Sequence, residues 1–147
     1  MKLKRILLAE DSPLDVEMTL EALAGNGLAN AIDVVNDGVE ALDYLFRREA
    51  FAARPDENPG LLILDIKMPR LDGLQVLEQV KKAEHLRTIP VVILTASRQE
   101  KDLYQSYRLG VNAFVVKPVD FHEFADAIKV LGLFWAILNE PPPRSNS

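Results

Sequence analysis

The sequence contains no cysteine, and only two of its 147 residues are histidine. Without cysteine the chain can form neither a disulfide framework nor a thiolate metal site, and this composition is typical of a reducing compartment. No apolar run approaches the roughly 18 residues that a membrane-spanning helix needs. The run after the basic start, Ile6 to Ala9, ends at two acids and is shorter than the roughly 7 apolar residues of a signal peptide. We therefore expect a cytoplasmic protein.

Positive charge is also scarce, since 17 Lys and Arg stand against 22 Asp and Glu, for a net charge of −5. Binding to nucleic acid or to an anionic membrane requires a concentrated basic surface, and the basic runs here are interrupted by acids. The chain also lacks the Gly-x-Gly-x-x-Gly pattern of dinucleotide binding and the Gly-x-x-x-x-Gly-Lys pattern of nucleoside triphosphate hydrolysis. We therefore expect neither a nucleic-acid partner nor a membrane partner.

Short runs of Leu, Ile and Val predict strands that are buried on both faces of a sheet. These runs are Ile6 to Ala9, Leu61 to Leu64, Val91 to Leu94 and Ala113 to Val116, with Ala31 to Val35 as a weaker fifth. Stretches with helical spacing lie between them, and this alternation predicts a parallel (βα)5 sheet with helices on both faces. A chain of this length forms one domain, which we predict over residues 1–138, followed by a disordered tail over residues 139–147.

The first helix is predicted to begin at Asp11-Ser12-Pro13, because Ser12 and Asp15 have capping-box spacing and proline suits the first helical position. It should end near Gly25-Asn26-Gly27, a typical C-terminal cap. Four further helices are predicted, from Gly38 to Phe46, from Leu74 to Ala83, from Glu100 to Leu109 and from Phe121 to Leu138. The two prolines and mixed charges between Arg47 and Gly60 predict a long surface connection.

Four of the predicted strands end at a polar residue that could take part in chemistry. These residues are Glu10 with Asp11, Asp65, Thr95 and Lys117. Because the carboxyl ends of parallel strands share one edge of a sheet, we expect these side chains to converge. Carboxylates about 5 Å apart repel by roughly 3 kcal/mol per pair at an effective dielectric near 20, so the cluster requires a cation or a proton.

The chemistry of this edge favours Mg²⁺ and a phosphoryl group. The candidate ligands are all oxygen atoms, without His or Cys, which favours Mg²⁺ over zinc or copper. A lysine and a threonine hydroxyl opposite a carboxylate-bound metal could hold a phosphoryl group. Asp65 is then the best candidate nucleophile, because it ends the predicted central strand and precedes a turn.

Each of these residues also has an ordinary structural explanation. Capping a helix could be the sole role of Asp11 or Ser12, and Asp65 could cap a turn. Threonine is common next to β-strands, as Thr95 is here, and a lysine such as Lys117 is usually solvated. The alignment of all four strand ends is what favours a functional site.

These residues together resemble the receiver domain of two-component response regulators over residues 3 to 131. The motifs are Glu10-Asp11, the run from Asp65 to Gly73 that reads Asp-Ile-Lys-Met-Pro-Arg-Leu-Asp-Gly, Thr95-Ala96 and Lys117-Pro118. The resemblance implies a flavodoxin-like, doubly wound fold with strand order 2-1-3-4-5. It also implies a signalling protein and not an ordinary enzyme. Such a protein takes a phosphoryl group from a sensor histidine kinase and itself catalyses both this transfer and the later dephosphorylation.

The resemblance also implies a role for each site residue. Asp65 would be the phosphoacceptor, with Lys117 and Thr95 assisting the transfer. Mg²⁺ would be held by Glu10, Asp11, Asp65 and the backbone carbonyl of Lys67. The phosphoryl group would contact Lys67, Met68, Thr95, Ala96 and Lys117. Thr95 and Phe114 would form the conformational switch.

The predicted last helix carries two apolar stripes at helical spacing. One consists of Phe121, Phe124, Ile128, Leu131, Trp135 and Leu138, and the other of Ala127, Val130, Phe134 and Ile137. An outer helix of a small domain needs one apolar face, so the second stripe favours a partner surface, although the chain could cover it itself. We predict a homodimer through Val130, Phe134, Trp135 and Ile137. The long last helix and the connection from Arg47 to Gly60 resemble stand-alone receivers that serve bacterial phytochrome-type kinases.

Two other functions compete with this interpretation. The chain could be a receiver-like adaptor that binds partners without carrying phosphate, although such a protein has no reason to keep Asp65, Thr95 and Lys117 together. It could also be an aspartate-nucleophile phosphatase, but those enzymes have a second Asp two residues after the nucleophile, where this chain has Lys67.

Overall fold

The computed structural model describes residues 4–25, 32–96, 108–111, 113–117, 119–120 and 122–126. The side chain of Thr95 lies outside this description. So do nearly all of the predicted helix from Glu100 to Leu109, the predicted helix beyond residue 126, and the predicted tail.

Five parallel strands form one sheet in the order β2-β1-β3-β4-β5, as predicted. The strands are β1 (Ile6–Ala9), β2 (Ile32–Val35), β3 (Leu61–Asp65), β4 (Val91–Thr95) and β5 (Ala113–Val116). β1 and β5 have the predicted bounds. β3 and β4 are each one residue longer than predicted, so that Asp65 and Thr95 are the last residues of their strands. Backbone pairing therefore fixes the position of both residues at the edge of the sheet.

The helices α1 (Pro13–Gly25), α2 (Gly38–Phe46) and α3 (Gly73–Lys82) connect the strands, and residues 122–126 are also helical. α2 has the predicted bounds. α3 ends at Lys82 and not at the predicted Ala83, and its predicted start at Leu74 is wrong by one residue. The reason is a capping box, in which the Asp72 side chain accepts from the backbone N–H of Gln75 and the Gln75 side chain accepts from the backbone N–H of Asp72. No helix in the described part of the chain is long and apolar enough to cross a bilayer.

The hydrophobic core lies in two layers, one on each face of the sheet. Successive residues of a strand point to opposite faces, so Leu7 and Leu62 pack toward α2 and α3, whereas Leu8 and Ile63 pack toward α1 and Phe124. Every residue of β1 and β3 is buried. These two strands are therefore the rigid centre that carries the acidic residues at their carboxyl ends. The prediction that β5 is buried on both faces is wrong, because β5 lies at the edge of the sheet and only Val115 in it is buried.

The β3–α3 connection, residues 66–72, is tied closely to the neighbouring elements. The backbone N–H of Gly73 donates to the carbonyl of Ile66 at 2.7 Å. Arg70 adopts a left-handed conformation with φ of 67° and donates from Nε and from one terminal nitrogen to the carboxylate of Asp37, at 3.0 and 2.8 Å. Asp37 is also the N-cap of α2. This ion pair therefore joins the connection after Asp65 to the start of α2.

Candidate functional site

Three carboxylates meet at the carboxyl edge of the sheet, as expected from the sequence. Glu10 and Asp11 directly follow β1, and Asp65 ends the neighbouring strand β3. One carboxylate oxygen from each residue lies within 4.8 Å of the other two. Glu10 and Asp65 are buried, whereas Asp11 is exposed. The cluster therefore has a buried side formed by two acids and an open side formed by the third.

Lys117, directly after β5, reaches the buried side of this cluster. Its Nζ lies 2.5 Å from Oε1 of Glu10 and 3.2 Å from Oδ2 of Asp65. A third carboxylate oxygen, Oδ2 of Asp15 on α1, lies at 2.9 Å. The side chain of Lys117 is only 11% exposed. The alternative that this lysine is a solvated surface side chain is therefore wrong.

Burial and charge change the proton affinities of these groups. Burial, together with the negative charge of Glu10, raises the pKa of Asp65 to about 7, although Lys117 acts in the opposite direction. Burial also acts to lower the pKa of Lys117, but the carboxylates of Glu10, Asp15 and Asp65 outweigh it and raise that pKa above its usual range. Lys117 therefore stays cationic, and Asp65 is the acid whose charge is costly.

The acidic cluster fits a hard divalent cation. Oε2 of Glu10 accepts from the backbone N–H of Ser12 at 3.1 Å. Oε1 is fully buried, and the partner the structure gives it is the ammonium group of Lys117, in an ion pair of 2.5 Å. Buried carboxylate oxygens normally have hydrogen-bond partners or bind a metal. The three candidate metal ligands of this cluster are all carboxylates. Oxygen ligands suit Mg²⁺ or Mn²⁺ better than a metal that prefers nitrogen or sulfur.

The remaining predicted phosphoryl-binding and switch residues lie on the β3–α3 connection, in or directly after β4, and in β5. Lys67 is exposed on the β3–α3 connection, two residues after Asp65, and Ala96 is exposed directly after β4. The Met68 side chain packs in the core, so only its backbone is available to a ligand. Thr95 pairs with Val116 in the sheet, and Phe114 is half-buried against the core layer toward α2 and α3. The predicted dimer contacts Val130, Phe134, Trp135 and Ile137 lie outside the described residues.

Asp15 is a site residue that the sequence does not predict, because its spacing from Ser12 indicates a capping role. The one available signal was its position four residues after Asp11, which places both acids on the same side of a helix start. The ion pair between Asp37 and Arg70 was also not predicted, because it joins residues 33 positions apart.

Comparisons with known proteins agree with this geometry. The family model described as response regulator receiver domain matches residues 6–129. The chain is similar to two solved structures of bacteriophytochrome response regulators. RtBRR is 55% identical, with a TM-score of 0.85 over 96% of this chain and 85% of that chain, and AtBRR is 56% identical, with a TM-score of 0.83 over 95% and 100%.

A curated relative, response regulator Rcp1 of Synechocystis sp., is 33% identical over 132 residues, which cover 90% of this chain and 88% of the relative. The Mn²⁺-bound form of Rcp1 is also among the similar solved structures, with 31% identity and a TM-score of 0.76 over 96% of this chain and 99% of that chain. The similarity therefore extends over almost the full length of proteins of the same kind.

Proposed function

The chain belongs to the response regulator receiver domain family of two-component signalling, and from this premise we propose that Asp65 accepts a phosphoryl group from a sensor histidine kinase. The observation that carries the proposal is the position of the Asp65 carboxylate. It is buried at the end of the central strand β3, 3.2 Å from the ammonium group of Lys117 and beside the carboxylates of Glu10 and Asp11.

The proposed reaction is an in-line transfer between two nucleophiles. A carboxylate oxygen of Asp65 attacks the phosphorus atom of a phosphohistidine, the new P–O bond forms, and the P–N bond breaks with its electron pair remaining on the imidazole. Lys117 faces the negative charge on the phosphoryl oxygens and does not need to move a proton. The surrounding residues orient the reacting groups, so that the receiver itself catalyses the transfer and the later hydrolysis.

Glu10, Asp11, Asp65 and the backbone carbonyl of Lys67 are the residues that would hold Mg²⁺. When bound, Mg²⁺ offsets the charge of the acids and of the incoming phosphoryl oxygens. The phosphoryl group would also contact Met68, Thr95 and Ala96. Thr95 and Phe114 would then pass the change to the surface around β5.

The nature of the solved relatives suggests the kind of kinase. RtBRR and AtBRR, both more than half identical to this chain, are bacteriophytochrome response regulators. We propose that the phosphodonor of this chain is likewise a phytochrome-type histidine kinase. We also propose a cytoplasmic location, because such a kinase takes its phosphoryl group from cytoplasmic ATP.

Phosphorylation is tested directly with a small donor. We expect the native protein to gain the mass of one phosphoryl group when it is incubated with phosphoramidate and Mg²⁺, and to gain none when EDTA replaces Mg²⁺. Borohydride reduction, which converts an aspartyl phosphate to homoserine, should then mark residue 65 in peptide mass spectra. No mass gain with Mg²⁺ would contradict the proposal and favour the adaptor function.

We further propose that the protein is a homodimer through its last helix. The support is the second apolar stripe, which includes Phe134 and Ile137. Sedimentation should give a dimer for the native chain and a monomer after Phe134→Ala with Trp135→Ala. Alanine at the exposed Leu14 of α1 is the control and should leave the dimer intact. An unchanged dimer in the double variant would contradict this interface.

A further inference from the structure

The start of α1 departs from an ordinary capping box in one respect. Ser12 is the N-cap, since its carbonyl accepts from Val16 at 2.9 Å and its Oγ accepts from the backbone N–H of Asp15 at 3.3 Å. In a complete capping box the side chain of residue 15 would accept from the backbone N–H of Ser12. Here that N–H donates instead to Oε2 of Glu10, at 3.1 Å. The carboxylate of Asp15 is therefore not used for capping.

This carboxylate instead binds Lys117, 102 residues further along the chain. Nζ of Lys117 donates to Oδ2 of Asp15 at 2.9 Å. The backbone of Asp15 is held on both sides, because its N–H is bonded to Ser12 and its carbonyl accepts from Oγ1 of the buried Thr19 at 2.8 Å. The Asp15 side chain is therefore presented to Lys117 from a fixed position at the start of α1.

The three carboxylates around Lys117 differ in what phosphorylation does to them. On phosphorylation, the attacking oxygen of Asp65 becomes the bridging oxygen of an acyl phosphate, and Glu10 belongs to the proposed Mg²⁺ ligands. Asp15 is not part of the three-carboxylate cluster in the described part of the chain, so neither event changes its chemistry. The bond to Asp15 is a hydrogen bond, whereas Glu10 and Asp65 face the ammonium group in ion pairs of 2.5 and 3.2 Å.

Resting on the proposed function, we infer that Asp15 is a positioning residue that holds the Lys117 ammonium in place for phosphoryl transfer. When the phosphoryl group arrives at Asp65, the bond to Asp15 keeps Nζ at the same point while a phosphoryl oxygen replaces the Asp65 oxygen as its ion-pair partner. Asp15 thus acts through Lys117 and does not touch the reacting atoms. It limits the freedom of a long side chain whose function depends on its position.

The test combines two measurements on Asp15→Ala and Asp15→Asn. With phosphoramidate and saturating Mg²⁺, we expect the maximal rate of phosphorylation to fall about tenfold in Asp15→Ala, as for partners that orient a reacting group. Asp15→Asn keeps an acceptor oxygen without the charge and should be intermediate. Glu17→Ala is the matched control, because Glu17 is exposed and lies about 200° further around α1. It should react at the native rate.

The second measurement follows Lys117 itself without any phosphodonor. Nζ should be modified by acetic anhydride several-fold faster in Asp15→Ala than in the native protein, while the exposed Lys67 and Lys82 are modified at unchanged rates. A general loosening of the fold would raise the labelling of other buried sites as well. Selective labelling of Lys117 therefore separates positioning from a merely structural role.

The outcomes distinguish this inference from the function on which it rests. If native protein is phosphorylated and both Asp15 variants react at its rate, or if Lys117 labelling is unchanged, the inference is wrong and the proposed function stands. If native protein accepts no phosphoryl group, the proposed function is wrong and the inference is wrong with it.

Discussion

Asp65→Asn is expected to abolish phosphorylation entirely, so that neither phosphoramidate nor a histidine kinase adds mass to the protein. The amide has nearly the shape of the carboxylate, but its neutral oxygen is a poor nucleophile toward phosphorus. Because Asp65 ends β3 by backbone pairing, the substitution leaves the backbone unchanged. Intact-mass spectra of native and variant proteins, treated side by side with Mg²⁺ and phosphoramidate, measure the effect.

The same substitution should stabilise the fold in metal-free buffer, in a way that depends on pH. Asp65 has a pKa of about 7 in the native state, against an ordinary value of 3.8. Between these values the unfolded chain loses its proton while the native protein retains it, so stability falls as pH rises toward 7 and then levels. The neutral amide of the variant carries no such penalty, and we expect a gain of about 4 kcal/mol at about pH 8 that vanishes near pH 4.

Asp56→Asn provides the control for both effects, because Asp56 is 93% exposed on the α2–β3 connection. This variant should accept phosphate as native protein does and shift the unfolding midpoint only slightly. Phosphorylation of the Asp65 variant would show that another residue is the acceptor. A stability difference that does not change with pH would show that Asp65 is not held protonated by its surroundings.

The sheet was predictable because four of its five strands are marked by composition alone, whereas β2 carries a weaker signal. Ile6 to Ala9 and Ala113 to Val116 are apolar throughout, and short apolar runs of this kind between helical stretches predict the strands of a parallel sheet. The chain order of strands and helices then restricts the topology to a few possibilities. Asp65 was predicted as the nucleophile for the same reason, since its position follows from the end of a strand.

The contacts between distant residues could not be predicted in this way. The pairing of Asp15 with Lys117 and of Asp37 with Arg70 depends on how α1 and the β3–α3 connection pack on the sheet. No local pattern specifies such pairs, because many acids and bases in the chain have the same local surroundings. The start of α3 at Gly73 was not predicted for a different reason. Glycine is a weak helix former, and Gly73 is required because a larger residue would not fit against the end of β3.

Gly73 shows how closely the start of α3 approaches the acceptor residue. A Cβ atom on Gly73 would lie 2.2 Å from the backbone carbonyl oxygen of Asp65 and 2.9 Å from Cα of Ile66. Both neighbours are backbone atoms at the end of the central strand, so neither can rotate away as a side chain could. Glycine is required here for space and not for a left-handed conformation, because its φ does not lie in the left-handed region.

Gly73→Ala is therefore expected to move α3 or the end of β3, and to harm both stability and phosphorylation. We expect the free energy of unfolding to fall by about 2–3 kcal/mol, as for an overpacked core. A displacement of Asp65 by about 1 Å should slow phosphorylation about 10²-fold. Glu78→Ala adds an alanine to the exposed face of the same helix, where the side chain is 50% exposed. That control should change stability by no more than about 0.5 kcal/mol.

Urea unfolding and phosphoramidate kinetics on the same preparations separate the two effects of Gly73→Ala. If the variant lost stability but reacted at the native rate, the added methyl group would have displaced the helix and left the acceptor in place. If both quantities matched the native values, the close approach of α3 to Asp65 would be wrong. A loss of both stability and phosphorylation rate would show that the absence of a side chain at residue 73 allows α3 to pack against the end of β3. This packing would then also fix the carboxylate of Asp65 close to Lys117.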